Sequence, residues 1–529
     1  MATRVAMLNK SNISSMAIAF IVSLSLTIFI CSILQPHWET VDDVGMSMLA
    51  HGYGYGPHNT GTPHLMYSNI LWGHLVRGVP SFFYIPGYSW ATYAVLVLFG
   101  SVLIYGLRVV RVGWILTLAL WILTLIRPVL FPQFTINAGL LAVGAIICWK
   151  LYENNPQWPI LWLGGTMAWA SYLVRADEFF LVFLVALPLL PWKVLIRDQH
   201  VRWAMLGLLG ILLMSEMIHR QAHQTKEWIF YKEMHQAIRP FVDYSAGAHL
   251  KEHPAMLQAH GFTINDIDLI GSWFFADSSV INPKRLQAML KEFGSLAQQG
   301  KPLERVLFNF GGFWHSHLRV GALLILFMGI IIYSKRYTSA LFLLLMAIVI
   351  IAIMGRPRIL RIYVPLLILL QISPFLLGPI LHGWRHKLVA TLVLVATALQ
   401  SLIAIQKSTL MSTSKPIELA EQPPYQVFIW QGADWGQHHW PLAPPLTTRF
   451  CDMSMIFWHP HSESQQTWAK ENSFREMLMK PEGIPIYHQG RNLLPLHIYC
   501  SEHLGGKLVH LRDEIYGHRR IPWYQCVVE

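Results

Sequence analysis

Long apolar runs separated by short polar segments constrain the fold of this chain more than any other feature. We count about eleven of them, and several are shorter than the roughly 20 residues that a perpendicular helix needs to cross a bilayer. The runs predict an α-helical polytopic membrane protein with about eleven transmembrane helices. They lie at about 14–34, 90–107, 112–126, 136–149, 158–174, 179–192, 203–218, 320–334, 337–354, 362–381 and 388–406.

The charged residues agree with this prediction. Only 13% of the residues are Asp, Glu, Lys or Arg, about half the share typical of a soluble domain. The net charge is +11, but the basic residues lie in short clusters between apolar runs, as in the cytoplasmic loops of membrane proteins. We therefore expect membrane lipids as partners and no nucleic acid. No small-residue cleavage site follows the first run, which predicts an uncleaved anchor.

The positions of the basic clusters predict an orientation. With the N-terminus in the cytoplasm, the cytoplasmic segments hold many basic residues and few acidic ones, as the positive-inside rule requires. This predicts a multi-pass protein of the cell (inner) membrane. We divide the chain into a membrane module, 1–406, and a periplasmic or extracellular domain, 407–529. Two further segments of the membrane module, 35–89 and 219–318, are expected on the same outer side.

The predicted outer segments have local structure of their own. Thr263 with Asp266, and Asn282 with Pro283, are typical helix starts. The C-terminal part contains strand-like runs between Gly, Pro and Asn residues, which predict a small α+β domain with a mixed sheet. These runs are YQVFIW, IPIYHQG, LPLHIYC, KLVHLRDEIY and WYQCVVE. Its three cysteines allow one disulfide, with the pairing left open: Cys451, Cys500 and Cys526.

Acidic residues cluster directly after the first apolar run. Glu39, Asp42 and Asp43 lie within five residues. Asp42 and Asp43 are either helix N-caps or catalytic groups, because a carboxylate can accept the proton of an attacking hydroxyl. The segment that follows, YGYGPHNTGTPH, is rich in Gly, Tyr and His and suits a loop that binds a polar donor or acceptor. Its candidate contact residues are Tyr55, His58 and His64.

Arginines also lie at the predicted outer ends of several spans, where positive charge should be scarce. One interpretation is interfacial snorkelling, or pairing of Arg175 with Asp177 and Glu178. The other is an anion site, because arginine binds phosphate through two parallel hydrogen bonds. The candidate phosphate-binding residues are Arg127, Arg175, Arg356, Arg358 and Arg361.

The layout resembles the GT-C superfamily of polytopic glycosyltransferases. The common features are an acidic motif after the first helix, DDVGMSML, an arginine turn before a late span, RIYVPLLILL, and an outward C-terminal domain. The superfamily includes protein O-mannosyltransferases and the aminoarabinose transferases of lipid A, and the chain looks closest to bacterial members. The resemblance implies that Asp42 or Asp43 is the base, with Asp42 favoured. It also implies that Arg356, Arg358 or Arg361 binds the donor phosphate.

The resemblance implies a hexosyl or pentosyl transferase that moves a sugar from a polyprenyl-phosphate donor to a hydroxyl of a glycan, lipid or protein. No cofactor is expected, although a divalent metal ion at Asp42 and Asp43 is an alternative. An O-antigen ligase or polymerase is the first rival, and it would use the 219–318 segment. A lipid or sugar transporter or flippase is the second alternative. The charges of a transport path should lie at mid-membrane depth, whereas the charges here lie at the outer ends of the predicted spans. A non-catalytic envelope scaffold would leave the arginine turn unexplained.

Overall fold

A computed structural model describes the chain apart from a set of short gaps. For residues 2–13 it describes the backbone alone. The described part is mostly helical. The gaps are residues 1, 58, 245, 295–301, 333, 357–358, 377–382, 413–422, 431–439, 446–447, 466–473, 517–518 and 529.

Within the described residues, each predicted apolar run overlaps at least one helix, and the run 179–192 is divided between the helix Ala176–Ala186, a short 3-10 turn and the start of the helix Trp192–Arg197. Up to residue 222 the helices are α1 (Ala2–Ile33), α2 (Val41–His51), α3 (Ile70–Gly78), α4 (Gly87–Val109), α5 (Trp114–Leu130), α6 (Phe134–Asn154), α7 (Trp158–Val174), α8 (Ala176–Ala186), α9 (Trp192–Arg197) and α10 (Gln199–Ala222). The next are α11 (Lys226–Asp243), α12 (Ala246–Leu250), α13 (Pro254–Ala259), α14 (Ile264–Gly271), α15 (Pro283–Phe293), α16 (Pro302–Phe310), α17 (Ser316–Ile332), α18 (Lys335–Ile353), α19 (Leu360–Leu376) and α20 (Gly383–Ser412).

Six helices in the described part of the chain are long and apolar enough to cross a membrane. A seventh span results if α16 and its following turn are counted together with α17, from which they are bent by 93°. Helices α5 and α19 are apolar but shorter. The protein therefore has the helices of a membrane protein, while the larger count of eleven spans stays a prediction. The six are α1, α4, α6, α10, α18 and α20.

The membrane helices are arranged around α6. Its whole apolar stretch is buried, and it packs against α4, α7, α8 and α19. In contrast, α1 and α10 expose most of their apolar side chains, among them Phe29 and Met214. Such extensive apolar exposure is rare on soluble proteins, but it is the expected surface of helices that face lipid.

The C-terminal part, from residue 407, which we call the tail, contains a five-stranded mixed sheet in the order β2-β1-β3-β5-β4. Strand β1 runs parallel to β2 and β3, whereas β5 runs antiparallel to β3 and β4. The predicted mixed sheet is thus confirmed. The strands are β1 (Val427–Ile429), β2 (Phe450–Asp452), β3 (Ile484–Tyr487), β4 (Gly506–Tyr516) and β5 (Arg519–Val528).

One strand prediction in the tail is wrong. LPLHIYC forms the first part of a helix, Leu494–Leu504, with a proline in its first turn and Gly505 in the left-handed conformation at its end. Its buried residues Leu496, Tyr499 and Cys500 follow a helical spacing, which decides the local structure. This helix is joined to β5 by a disulfide between Cys500 and Cys526, the pairing that the sequence left open.

The 219–318 segment, which we call the second polar segment, packs against the tail. Both predicted helix starts in it are confirmed: Thr263 and Asp266 form a capping box, and Asn282 caps α15. Phe274, which follows α14, is buried against Tyr499 of the tail, with ring centroids 5.3 Å apart. Residues of both regions belong to one hydrophobic cluster. The two regions therefore form one packed unit.

Candidate functional site

A cavity of about 310 Å³ lies where three parts of the chain meet: residues 35–89, which we call the first polar segment, the second polar segment and the tail. Backbone hydrogen bonds hold its walls together, for example from Phe450 N–H to the Gly54 carbonyl at 3.0 Å. The lining is mainly apolar and aromatic with two carboxylates, as in many small-molecule sites. It consists of Val41, Asp42, Val44, Met48, Tyr55, Met66, Tyr67, Trp273, Ile429, Phe450, Asp452, Ser454, Met455 and Ile456.

Asp42 lies in the first turn of α2 and on the cavity wall. Thr40 occupies the N-cap position, so Asp42 is not the cap of this helix. Its Oδ2 accepts a hydrogen bond from Nη1 of Arg361 at 2.9 Å, and both side chains are partly exposed, at 22% and 24%. Arg361 lies in the first turn of α19. The structure thus brings together a predicted base and a predicted phosphate-binding residue.

Asp43 has a different environment from its neighbour. It is completely buried, and its Oδ1 accepts hydrogen bonds from the Tyr88 hydroxyl and from Phe134 N–H, each at 3.0 Å. The Thr40 hydroxyl donates to Oδ2 at 3.3 Å. Burial, with a smaller contribution from the negative charge of Asp42, raises the pKa of Asp43 to about 8. Asp43 therefore connects α2 to the starts of α4 and α6 and does not line the cavity.

Arg175 lies behind the cavity wall. Its guanidinium donates to the Thr135 hydroxyl at 3.2 Å and lies over the rings of Phe134 and Tyr67, of which Tyr67 lines the cavity. Arg175 and Arg361 are close enough for their positive charges to repel each other. No ion pair joins Arg175 to Asp177 or Glu178, although all three residues are described. Two arginines from different turns therefore bring positive charge to one side of the cavity.

The other predicted arginines lie elsewhere. Arg127 is buried and forms an ion pair with Glu39 at 2.8 Å. Arg356 lies 3.8 Å from Asp243 Oδ2, and its carbonyl accepts a hydrogen bond from the Asn309 side chain. Neither lines the cavity. Arg358 and His58 fall outside the described residues.

Tyr55 and His64, the remaining predicted contact residues, are separated by the fold. Tyr55 lines the cavity and packs closely on Gly45, where an added Cβ would lie 2.6 Å from its hydroxyl. His64 instead stacks on His461 of the tail, with ring centroids 4.4 Å apart, and on Trp228. Burial, helped by neighbouring histidines, lowers the pKa of His64 to about 3. His64 therefore belongs to an uncharged aromatic contact between the segments.

Most of the cavity lining was not predicted from the sequence, including Tyr67, Trp273 and Asp452. Trp273 comes just after α14 with a φ of 56° and remains 41% exposed. Asp452 ends β2, and its Oδ1 accepts the Ser454 N–H at 2.9 Å. Burial raises the pKa of the Asp452 carboxyl. No local motif marks any of them, because each reaches the cavity through tertiary packing.

Among the described residues, one group brings three possible metal ligands together, and it lies away from Asp42. It consists of Asp266, Glu502 and His503. The two oxygens of Asp266 are already engaged, one with His503 Nε2 and the other with Thr263 N–H, both at 2.8 Å. These contacts connect α14 to the helix Leu494–Leu504 of the tail. A divalent ion at Asp42 and Asp43 stays a prediction.

Around the cavity, two carboxylates and two arginines lie beside aromatic and methionine side chains. Such a set can hold an anionic group and a hydroxyl near each other in a space that is partly shielded from water.

No family model, curated protein or solved structure matches this chain.

Proposed function

We propose that the chain is an integral-membrane glycosyltransferase, which transfers a sugar from a polyprenyl-phosphate donor to an acceptor hydroxyl. The observation that carries this proposal is the contact between Asp42 and Arg361 at the cavity. One of these groups can accept a proton, and the other can bind a phosphate. Their residues come from α2 and α19, so the contact exists only in the folded chain.

The chemistry assigns a role to each group. Asp42 accepts the proton of the acceptor hydroxyl while that oxygen attacks the sugar carbon bonded to phosphate. The bond between this carbon and the phosphate oxygen breaks, and the phosphate leaves with the electron pair. Arg361 stabilises the negative charge on the departing phosphate, with Arg175 adding positive charge nearby. A phosphate that binds the Arg361 guanidinium also frees Asp42 Oδ2 for the hydroxyl.

The surroundings support a substrate with a lipid part. The cavity is lined largely by apolar and methionine side chains, and α1 and α10 of the same chain carry an exposed apolar surface that is suited to lipid. A polyprenyl chain can therefore stay in the bilayer while its phosphate reaches the arginines. A soluble nucleotide-sugar donor would not need such a surface.

The test is turnover by the purified full chain in lipid nanodiscs, supplied with polyprenyl-phosphate mannose, glucose or aminoarabinose. Release of polyprenyl phosphate is measured for the wild type, Asp42→Asn and Asp43→Asn. We expect Asp42→Asn to lower the rate by about 10²- to 10⁴-fold, as loss of a general base does. We expect a much smaller effect of Asp43→Asn, because an amide can replace the buried carboxyl.

Two results would contradict the proposal. One is a wild-type protein that turns over none of these donors under any acceptor condition. The other is an Asp42→Asn variant with a near-normal rate. A large loss in Asp43→Asn with normal turnover in Asp42→Asn would assign the base to the buried neighbour instead.

A further inference from the structure

Trp273 lies on the cavity wall in a strained conformation. Its φ of 56° is in the left-handed region, where a residue other than glycine is strained. The next two residues, Phe274 and Phe275, are completely buried, and Phe274 N–H donates to the Leu269 carbonyl. The chain therefore turns sharply at the end of α14, and the indole ring is left partly exposed beside the cavity.

Asp452 is held close to this turn. Phe275 N–H donates to the carbonyl of Met453, the residue after Asp452, at 2.7 Å. Trp273 and Asp452 come from different regions, but this backbone contact joins their two segments, and both side chains line the same cavity. A carboxylate has about four acceptor positions, and Ser454 engages only part of them. The carboxylate can therefore accept hydrogen bonds from a bound molecule.

These wall residues favour a neutral ligand that is rich in hydroxyl groups. Aromatic rings such as Trp273 and Tyr67 pack on an apolar face, while carboxylates accept hydrogen bonds from hydroxyls along an edge. A sugar ring offers both. Arg361 contacts Asp42, and no Lys or Arg is among the described residues that line the cavity, so the wall formed by Trp273 and Asp452 offers no cation to an anionic headgroup.

We propose that Trp273 and Asp452 form the acceptor subsite of the cavity and that it takes a sugar ring, so that the acceptor is a glycan. This inference rests on the proposed function, because it assigns the second substrate of the same site. The ring packs on Trp273 and Tyr67, Asp452 accepts hydrogen bonds from its hydroxyls, and the reacting hydroxyl is directed to Asp42. The second polar segment and the tail thus select the acceptor, whereas α2 and α19 supply the chemistry.

The experiment measures binding of free saccharides, without donor, to the purified full chain in nanodiscs. The probes are the methyl glycosides of mannose, glucose, galactose and N-acetylglucosamine, with saturation-transfer NMR as the readout. We expect at least one to bind. Asp452→Asn should weaken that binding about 10- to 100-fold, and Trp273→Asn about 2- to 10-fold.

Trp273→Asn is chosen because asparagine adopts positive φ more readily than tryptophan. Its melting temperature should equal or exceed that of the wild type, so a loss of binding is not a loss of fold. The matched controls are Trp314→Asn and Asp268→Asn, which change an exposed tryptophan and an exposed aspartate away from the cavity. Both controls should bind as the wild type does.

The outcomes separate this inference from the proposed function. Donor turnover with no glycoside bound would overturn the glycan subsite and leave the transferase intact. Binding that survives both cavity substitutions would also overturn the subsite, since the sugar would lie elsewhere. Binding that depends on Trp273 and Asp452, without turnover of any donor, would support the subsite and contradict the transferase.

Discussion

Two arginine–carboxylate pairs of similar length have very different environments. Arg361 and Asp42 are 2.9 Å apart and about one quarter exposed at the cavity. Arg127 and Glu39 are 2.8 Å apart, but Arg127 is only 2% exposed. Lys407 lies 3.6 Å from the second oxygen of Glu39 and over the ring of Phe131. The first pair can exchange its partners with a ligand, whereas the second is enclosed by protein.

This difference shows that an arginine at a span end is not by itself a phosphate site. Two guanidinium nitrogens of Arg127, Nε and Nη1, are buried without a hydrogen-bond partner. Its charge is therefore balanced mainly by Glu39. Removing one partner of such a buried pair lowers the free energy of unfolding much more than replacing both partners by apolar residues does. The same substitution should consequently affect stability at Arg127 and activity at Arg361.

The largest expected effect is that of Arg127→Ala on stability. It leaves the nearly buried Glu39 with Lys407, 3.6 Å away, as its remaining cationic partner among the described residues, so the free energy of unfolding should fall by up to about 3–5 kcal/mol. Chemical unfolding of the purified protein in detergent micelles would measure this. The double substitution Arg127→Leu with Glu39→Leu should recover most of the loss. If Arg127→Ala unfolds normally but binds donor poorly, Arg127 is a phosphate-binding residue, as the sequence predicted.

The next effect in size is that of Arg361→Ala on donor use. A hydrogen bond to a charged group contributes roughly 1.5–3 kcal/mol, so the KM for the donor should rise about 10- to 150-fold. Stability should change by less than about 1 kcal/mol, because the pair with Asp42 is partly exposed. Arg361→Lys should restore binding only in part, since an ammonium lacks the two-pronged geometry. Steady-state kinetics and unfolding are measured on the same preparations. An unchanged KM with lost stability would mean that Arg361, like Arg127, stabilises the fold and does not bind the donor.

Local patterns predicted the local structure well. The apolar runs became helices, the cap residues Thr263 and Asn282 start helices, and the tail contains a mixed sheet. Each of these features depends on residues close together in sequence. The error at LPLHIYC has the same origin, since a short apolar run fits both a strand and a buried helical turn.

The site was only partly predictable, because it is made by long-range contacts. Asp42 and Arg361 were candidates, but their contact joins residues 319 positions apart. Trp273 and Asp452 reach the cavity through the packing of two regions, which leaves no mark in the local sequence. Neighbouring residues on a helix also point about 100° apart. This is why Asp42 lies on the cavity wall and Asp43 in the core, a distinction that the sequence left open.

A pH-dependent effect sharpens the comparison between these two aspartates. The pKa of Asp43 is raised from 3.8 to about 8 in the folded protein, chiefly by burial. Between those values the folded state holds a proton that the unfolded state has released. The free energy of unfolding should therefore fall as pH rises through this window, with a slope of up to about 1.4 kcal/mol per pH unit, and level off above pH 8.

Asp43→Asn should remove this slope. The amide oxygen can accept the hydrogen bonds from Tyr88 and Phe134, and the amide nitrogen can donate to the Thr40 hydroxyl, as a protonated carboxyl would. The measurement is the difference in unfolding free energy between wild type and variant from pH 5 to 9, in which other titrating groups cancel. Asp42→Asn should keep the slope but make the curve level off at a somewhat lower pH, because the charge of Asp42 is the lesser cause of the raised pKa. Parallel curves for wild type and Asp43→Asn would mean that Asp43 is ionised in the fold, and the division of roles between the two aspartates would then lose its physical basis.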